Sequence, residues 1–180
     1  MAARANNHSV GRLALHRGVL VMTALVSSLI FASLCAAQSD DVAPPPLKMM
    51  SKTEKAELTA KTEPKERVNL ALQLMESRLK SAEKDRTDEN YSVMYAELGG
   101  FHAIMDNTLD YVLHSDSNEG RRLNSLKKLE IGLREFVPRI EGIRRDSPLS
   151  FEPYLKKLLK YISDAREKAI APFFSNSVVQ

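Results

Sequence analysis

The chain has 180 residues, a formal net charge of +3 and a single cysteine, Cys35. One cysteine excludes an intrachain disulfide and the multi-cysteine zinc sites of small domains. Three of the 26 basic residues lie in the first 37 positions, so the other 23 only balance the 23 acidic residues. The basic character of the whole chain therefore gives no evidence for a nucleic-acid partner, and we expect none.

The first 37 residues predict a secretory signal peptide. Three arginines and no acidic residue precede the apolar run 18–37, which ends in small side chains. We expect cleavage after Ala37 and an extracytoplasmic protein, either periplasmic or secreted. The run is also long enough to remain as a membrane anchor, which would tether the chain. Lipidation of Cys35 is a third interpretation, although Leu34 occupies the position where such signals have a small residue.

Residues 38–62 predict a flexible Pro-rich linker, at 38–50, followed by a charged segment, at 51–61, that could be helical. Three consecutive prolines at 44–46 favour an extended spacer, and the charged segment 51–61 that follows ends close to another proline. Proline is tolerated in the first turn of a helix, so the position of Pro64 places the start of the first predicted long helix near Glu63.

Four segments between residues 63 and 174 predict amphipathic helices, because their apolar residues recur every three or four positions without the alternation of strands. The four runs are Val68, Leu72, Met75, Leu79 and Ala82; Met94, Leu98, Phe101, Met105, Leu109 and Val112; Leu126, Leu129, Leu133, Phe136, Ile140 and Ile143; and Phe151, Leu155, Leu158, Ile162, Ala165 and Ala169. Turn-forming residues separate the runs at 85–90, 115–120 and 145–150. The pattern predicts an all-α protein, an antiparallel up-and-down four-helix bundle with a tail at 175–180.

Two prolines predict irregular helices. Pro138 lies inside the third run and should kink that helix, and Pro172 should end the fourth. Leu133 lies in the middle of the third run, so we expect its side chain to be fully buried.

The second predicted helix is acidic and the third is basic. No Lys or Arg occurs between Arg86 and Arg121, whereas basic residues dominate the segment that follows. One interpretation is that the two helices pack side by side with attracting flanks. The other is that the basic face of the third helix binds an acidic protein partner or anionic lipid headgroups. The candidate face comprises Arg121, Arg122, Lys127, Lys128 and Arg134.

Two histidines and two aspartates follow one another at four-residue steps, as His102, Asp106, Asp110 and His114. A helix places the first and last of these about 120° and about 18 Å apart, so one metal ion cannot bind all four. We therefore predict two separate pairs on a polar helix face and no metal site. His102 should lie at the flank of the core stripe, and His114 should face solvent.

Gly99 and Gly100 fall in the middle of the second predicted helix, where glycine is unfavourable. The pair indicates either close packing or a kink at this point. It also offers a candidate ligand notch lined by Tyr95, Phe101 and His102.

The sequence contains no phosphate-binding glycine loop, nucleophile elbow or zinc-protease motif. We therefore expect no cofactor and no enzymatic activity. The leading interpretation is an exported, non-enzymatic binding or structural module of the cell envelope, with an unknown protein partner or self-association. The alternative is a small-molecule or cofactor carrier that uses the notch at Gly99 and Gly100.

Overall fold

The computed structural model describes residues 42–175, and the regular structure in this range is entirely helical. The helices are α1 (Lys52–Ala60), α2 (Pro64–Thr87), α3 (Tyr91–Leu113), α4 (Glu119–Arg145) and α5 (Glu152–Ser175), with a 3₁₀ turn at Leu149–Phe151 before α5. The predicted all-α class is confirmed, with five helices in the described range where the sequence pattern predicted four. The predicted signal peptide, its cleavage point and most of the tail lie outside the described residues.

Helix α1 occupies Lys52–Ala60, within the charged segment that follows the predicted linker and that the sequence left open as a helix. Ser51 caps this helix: its hydroxyl accepts from the backbone N–H of Glu54, whose carboxylate accepts from the Ser51 N–H. This reciprocal pair satisfies two backbone donors that a helix start otherwise leaves free. Leu58 is the one buried side chain of α1, so the segment lacks the repeating apolar stripe from which a helix is predicted.

Among the four long helices, α2 packs against α3, α4 packs against α5 and α2 packs against α4, while α3 also contacts α4 and α5. Arg67 of α2 binds Asn107 of α3, and Glu130 of α4 binds Arg166 of α5. Every residue of the second and third apolar runs is buried. Phe101 and Phe136 meet edge to face across α3 and α4, with their ring centres 5.4 Å apart.

Two prolines lie inside long helices that continue past them. Helix α4 continues through Pro138, and α5 continues past Pro172 to Ser175. The prediction that Pro172 ends its helix is therefore wrong. Proline removes its own backbone donor and its ring crowds the carbonyl one turn earlier, and at Pro172 this cost arises close to the end of the helix, where few hydrogen bonds follow.

The ion pairs of α4 differ from the predicted attraction between acidic and basic neighbours. Helices α3 and α4 do pack together, but within residues 42–175 no salt bridge joins them. Arg139 instead binds Glu76 and Glu83 of α2, with an Nη2–Oε2 distance of 2.7 Å to Glu83. Of the acidic residues of α3, Glu97 binds Arg78 of α2, Asp106 binds Lys48, and Asp110 pairs with His114 at the solvent-exposed end of the same helix.

Within residues 42–175, none of the helices combines the length and the apolar character that crossing a membrane requires. The predicted alternative of an anchor at residues 18–37 concerns positions outside this range.

Candidate functional site

The predicted ligand notch at Gly99 is filled by the chain itself. Residues 42–50, which we name the N-terminal strap, have no regular secondary structure and run across α3. A Cβ atom at Gly99 would collide with the backbone carbonyl of Leu47 and would lie 3.2 Å from the Cβ of Pro46. The absence of a side chain at Gly99 therefore allows backbone to approach backbone, which was the close-packing interpretation of the glycine pair.

The second glycine accommodates an arginine. A Cβ atom at Gly100 would lie 3.0 Å from the guanidinium carbon of Arg78 in α2. Arg78 donates two hydrogen bonds to Glu54 of α1, at 2.8 and 2.7 Å, and one to Glu97 of α3 at 2.9 Å. These bonds raise the pKa of Arg78 and tie three helices together at one half-buried point.

His102, predicted at the flank of the core stripe on a polar helix face, is buried beside the strap, so that face is covered and not open to solvent at this point. Its side chain is 1% exposed. Tyr161 of α5 stacks on it with ring centres 4.6 Å apart, and Tyr154 lies beyond at 6.5 Å. The periodicity of one helix could not reveal this burial, because the covering groups come from other parts of the chain.

The strap is held next to His102 by the side chain of Lys48. The Lys48 ammonium lies 3.0 Å from Oδ2 of Asp106 and 5.1 Å from the centre of the Tyr161 ring. The same carboxylate oxygen lies 3.4 Å from Nε2 of His102, whose Nδ1 is buried without a hydrogen-bond partner.

The second histidine pair is separate from the first. His114 and Asp110 approach to 3.1 Å, and both side chains are more than three-quarters exposed. His114 thus faces solvent, as predicted. Among residues 42–175, no group of three His, Cys, Asp or Glu side chains is arranged to hold a metal ion.

The predicted basic face of α4 is divided between two surfaces. Arg121 and Lys128 line a polar cleft towards α2, where Arg121 lies 3.9 Å from Glu63. Lys127 and Arg134 line a groove towards α5. Arg122 is half-buried between these surfaces. Residues seven apart lie near each other on a helix face, whereas adjacent residues differ by about 100°, which explains the division.

The groove between α4 and α5 has a volume of about 520 Å³, and we name it the α4–α5 groove. It is lined by Lys127, Glu130, Ile131, Arg134, Ile170, Phe173 and Phe174. Four of its residues are large apolar side chains with high exposure, from 38% for Ile170 and Phe173 to 66% for Phe174. The sequence pattern missed them, because Pro172 was taken as the end of the helix and Ile131 lies off the core stripe.

The buried carboxylate at the base of the α4–α5 groove is paired internally. Glu130 is 6% exposed and accepts hydrogen bonds from Arg134 and Arg166, each at 2.9 Å from its Nη2 atom. Burial alone would raise the pKa of the Glu130 carboxyl, but the two arginines outweigh burial and lower it. Lys127 has no carboxylate partner among the described residues, so the groove has a positive rim.

These surfaces define the molecule as an all-α protein with an apolar, positively rimmed groove and a covered histidine. Comparisons of the chain with family models, curated proteins and solved structures give no match. Function is therefore inferred from these surfaces alone.

The close contact at Gly99 leads to a prediction for a pair of glycine variants. We expect Gly99→Ala to lower the free energy of unfolding by about 1–3 kcal/mol, because the new methyl group meets strap backbone. The matched control is Gly142→Ala in α4, where a Cβ atom would meet nothing within 4 Å. Alanine favours a helix over glycine, so this variant should gain about 0.5–1 kcal/mol. Urea denaturation measures both, and equal effects would contradict the close contact.

Proposed function

We propose that this protein is an exported, non-enzymatic binding module whose α4–α5 groove binds an acidic amphipathic helix of a partner protein. In this proposal the four long helices form an antiparallel up-and-down bundle that presents the groove. Export is supported by the arginine-led apolar segment at residues 18–37. The non-enzymatic class is supported by the lack of catalytic motifs in the sequence.

The observation that carries the proposal is the exposed apolar surface of the α4–α5 groove. Ile131, Ile170, Phe173 and Phe174 line one concave site, and all four are among the exposed large hydrophobic side chains of the described chain. Contiguous exposed apolar surface is costly in water and typically marks an interaction site. A groove between two helices suits the apolar face of a third, with anchors three or four residues apart.

Charge determines which helix fits the groove. Lys127 carries no internal partner among residues 42–175, and the Arg134 side chain remains 64% exposed although it binds Glu130. A partner with carboxylates beside its apolar stripe would meet opposite charge at this rim. A second copy of this chain, related by a two-fold axis, would bring the same cations face to face. The rim therefore favours an acidic partner over self-association.

The concave shape of the α4–α5 groove favours a protein over a lipid surface. Membrane-binding proteins insert protruding apolar side chains between headgroups, whereas Ile131 and Ile170 line a depression and are more than half covered. A helix can enter this depression, while a bilayer surface would contact only its rim.

The proposal is tested with two synthetic amphipathic peptides that share one apolar stripe, one with glutamate and one with lysine on the flanks. We expect the purified full chain to bind the glutamate peptide in fluorescence anisotropy and not the lysine peptide. Charge reversal by Lys127→Glu with Arg134→Glu should weaken glutamate-peptide binding about tenfold or more, since attraction becomes repulsion. The matched control is Arg121→Glu with Lys128→Glu in the neighbouring cleft, which should bind as the unaltered chain does.

Three outcomes would contradict the proposal. One is equal binding of both peptides. Another is that neither peptide binds but the chain floats with phosphatidylglycerol vesicles, and that Phe174→Ser abolishes this flotation. This result would identify a lipid surface as the occupant. The last is a dimer in sedimentation that Phe174→Ser dissociates, which would identify a second copy as the occupant.

A further inference from the structure

The N-terminal strap crosses α3 on the face that holds His102. Gly99, His102 and Asp106 are separated by three and four residues, so they lie on one face of the helix. The strap contacts this face at both ends, since the backbone carbonyl of Leu47 lies against Gly99 and the Lys48 ammonium binds Asp106. His102 lies between these two contacts, which explains its near-complete burial.

Lys48 and His102 share the same two partners. The Oδ2 atom of Asp106 lies 3.0 Å from the Lys48 ammonium and 3.4 Å from Nε2 of His102. The Tyr161 ring stacks on the imidazole and also lies beneath the ammonium. While His102 is neutral, Lys48 is the one cation among residues 42–175 that pairs with this carboxylate. A protonated His102 would compete with Lys48 for Asp106 and would repel it.

Protonation also creates a donor without an acceptor. A charged imidazole carries N–H groups on both nitrogens, and Nδ1 of His102 is buried with no hydrogen-bond partner. A buried donor without a partner is unfavourable, and water can satisfy it only if the covering segment moves away. The strap is the covering segment that lacks helical structure, so it is the element that can move at lowest cost.

The groups that face His102 from the other elements do not supply this acceptor. Helix α5 presents the rings of Tyr154 and Tyr161, and the strap presents the cation of Lys48. Burial lowers the pKa of His102, and although Asp106 opposes this effect, Lys48 adds to it. The closed strap therefore favours the neutral imidazole. When the strap opens and water enters, the imidazole regains an ordinary proton affinity.

We propose that the N-terminal strap is a pH-sensitive clasp, which is closed over neutral His102 and released from α3 and α5 when His102 takes up a proton. Ala43 stays attached through its N–H bond to the Ser150 carbonyl at 3.0 Å, and the Ser51 cap keeps α1 in place. The segment that opens is thus the middle of the strap, and its release exposes the glycine face of α3. This inference does not depend on the α4–α5 groove.

The sign of the pH dependence follows from the two states. Above the ordinary histidine pKa, near 6.5, neither state binds the proton and the clasp is closed. As the pH falls below that value, the open state binds a proton that the closed state resists, so opening becomes more favourable. Each pKa unit between the two states changes the opening equilibrium about tenfold.

The proposal is tested by heteronuclear NMR of the full chain between about pH 8 and about pH 5, a range that brackets the ordinary histidine pKa. We expect the amide signals of Leu47 to Met50 to shift with the same midpoint as the imidazole signals of His102. His102→Gln should remove this transition and leave the strap closed, while the exposed His114→Gln is the matched control and should preserve it.

Lys48→Gln provides a second measurement that does not require replacing the buried histidine. It should open the strap at every pH, and the titration midpoint of His102 should move upward towards its ordinary value. Two results would overturn the clasp: strap signals that stay constant while His102 titrates, or a transition that persists in His102→Gln. An unchanged His102 midpoint in Lys48→Gln would also overturn it, because the strap would then not govern the proton.

Discussion

Replacement of Leu133 by alanine should lower the free energy of unfolding by about 2–5 kcal/mol. The side chain has no exposed surface and lies in the middle of α4, on the stripe that faces the other long helices. Truncation removes buried methyl groups and leaves a cavity that rigid helix pairs cannot fully close. Urea denaturation should show a lower midpoint with an unchanged slope, since the surface exposed on unfolding stays the same.

Ile131 offers a matched control two residues away on the same helix. Its side chain is 44% exposed and lies in the α4–α5 groove, so Ile131→Ala should change the free energy of unfolding by only about 0.5 kcal/mol. Similar losses for the two variants would show that the faces of α4 are assigned incorrectly.

The second large effect is expected at Arg78, which joins α1, α2 and α3. Arg78→Met should lower the free energy of unfolding by about 2–3 kcal/mol, because Glu54 and Glu97 lose their partner in a half-buried place. Fully buried pairs cost about 3–5 kcal/mol when broken, and partial exposure here reduces the effect through solvent screening. Lys80→Met is the control, since Lys80 forms a salt bridge with Glu76 on the surface, with its side chain 69% exposed.

The Arg78 variant should also change how stability depends on pH. Burial alone would raise the pKa of the Glu54 carboxyl, but hydrogen bonds from Arg78 and Ser51 outweigh burial and lower it. A carboxyl with a lowered pKa stabilises the fold above its ordinary value near 4.3, and this contribution is lost as the pH falls through the lowered pKa. Arg78→Met should therefore flatten the acid side of the stability profile. An unaltered profile would mean that the Arg78–Glu54 pair contributes nothing to folding.

The pH profile at Glu54 can be distinguished from the strap transition at His102. The carboxyl contribution is lost on the acid side of about pH 4.3, whereas the clasp opens as the pH falls below about 6.5. Stability and strap opening thus respond in different pH ranges and depend on different residues, so each can be measured in a variant that lacks the other.

The positions of the four long helices follow from the sequence because helix formation and burial depend on the same local periodicity. An apolar residue every three or four positions brings one face of a helix together, and water drives that face inward whichever neighbour covers it. Leu133 and its stripe could therefore be predicted without knowledge of the partner helices. Helix α1 could be predicted only as one option for a charged segment, because Leu58 alone does not make a stripe and Glu54 of this segment binds Arg78 in another helix.

The parts of the candidate sites that depend on local sequence could likewise be predicted, and the parts that depend on helix packing could not. The basic residues Lys127 and Arg134 were identified from charge alone. They line one groove with Phe173 and Phe174 only because α5 packs against α4, which the sequence did not show. The glycine pair indicated that another segment packs closely against α3, but not that this segment is the strap.

By itself, the sequence determined the all-α class, the faces of the long helices and the position of the glycine pair. These properties arise from interactions between residues within a few turns of one another, so the local pattern is sufficient. Only the tertiary structure decided the burial of His102, the partners of Arg78 and Lys48, and the α4–α5 groove. Each of these depends on residues far apart in the chain, and their meeting is set by the packing of whole helices, which no local pattern encodes.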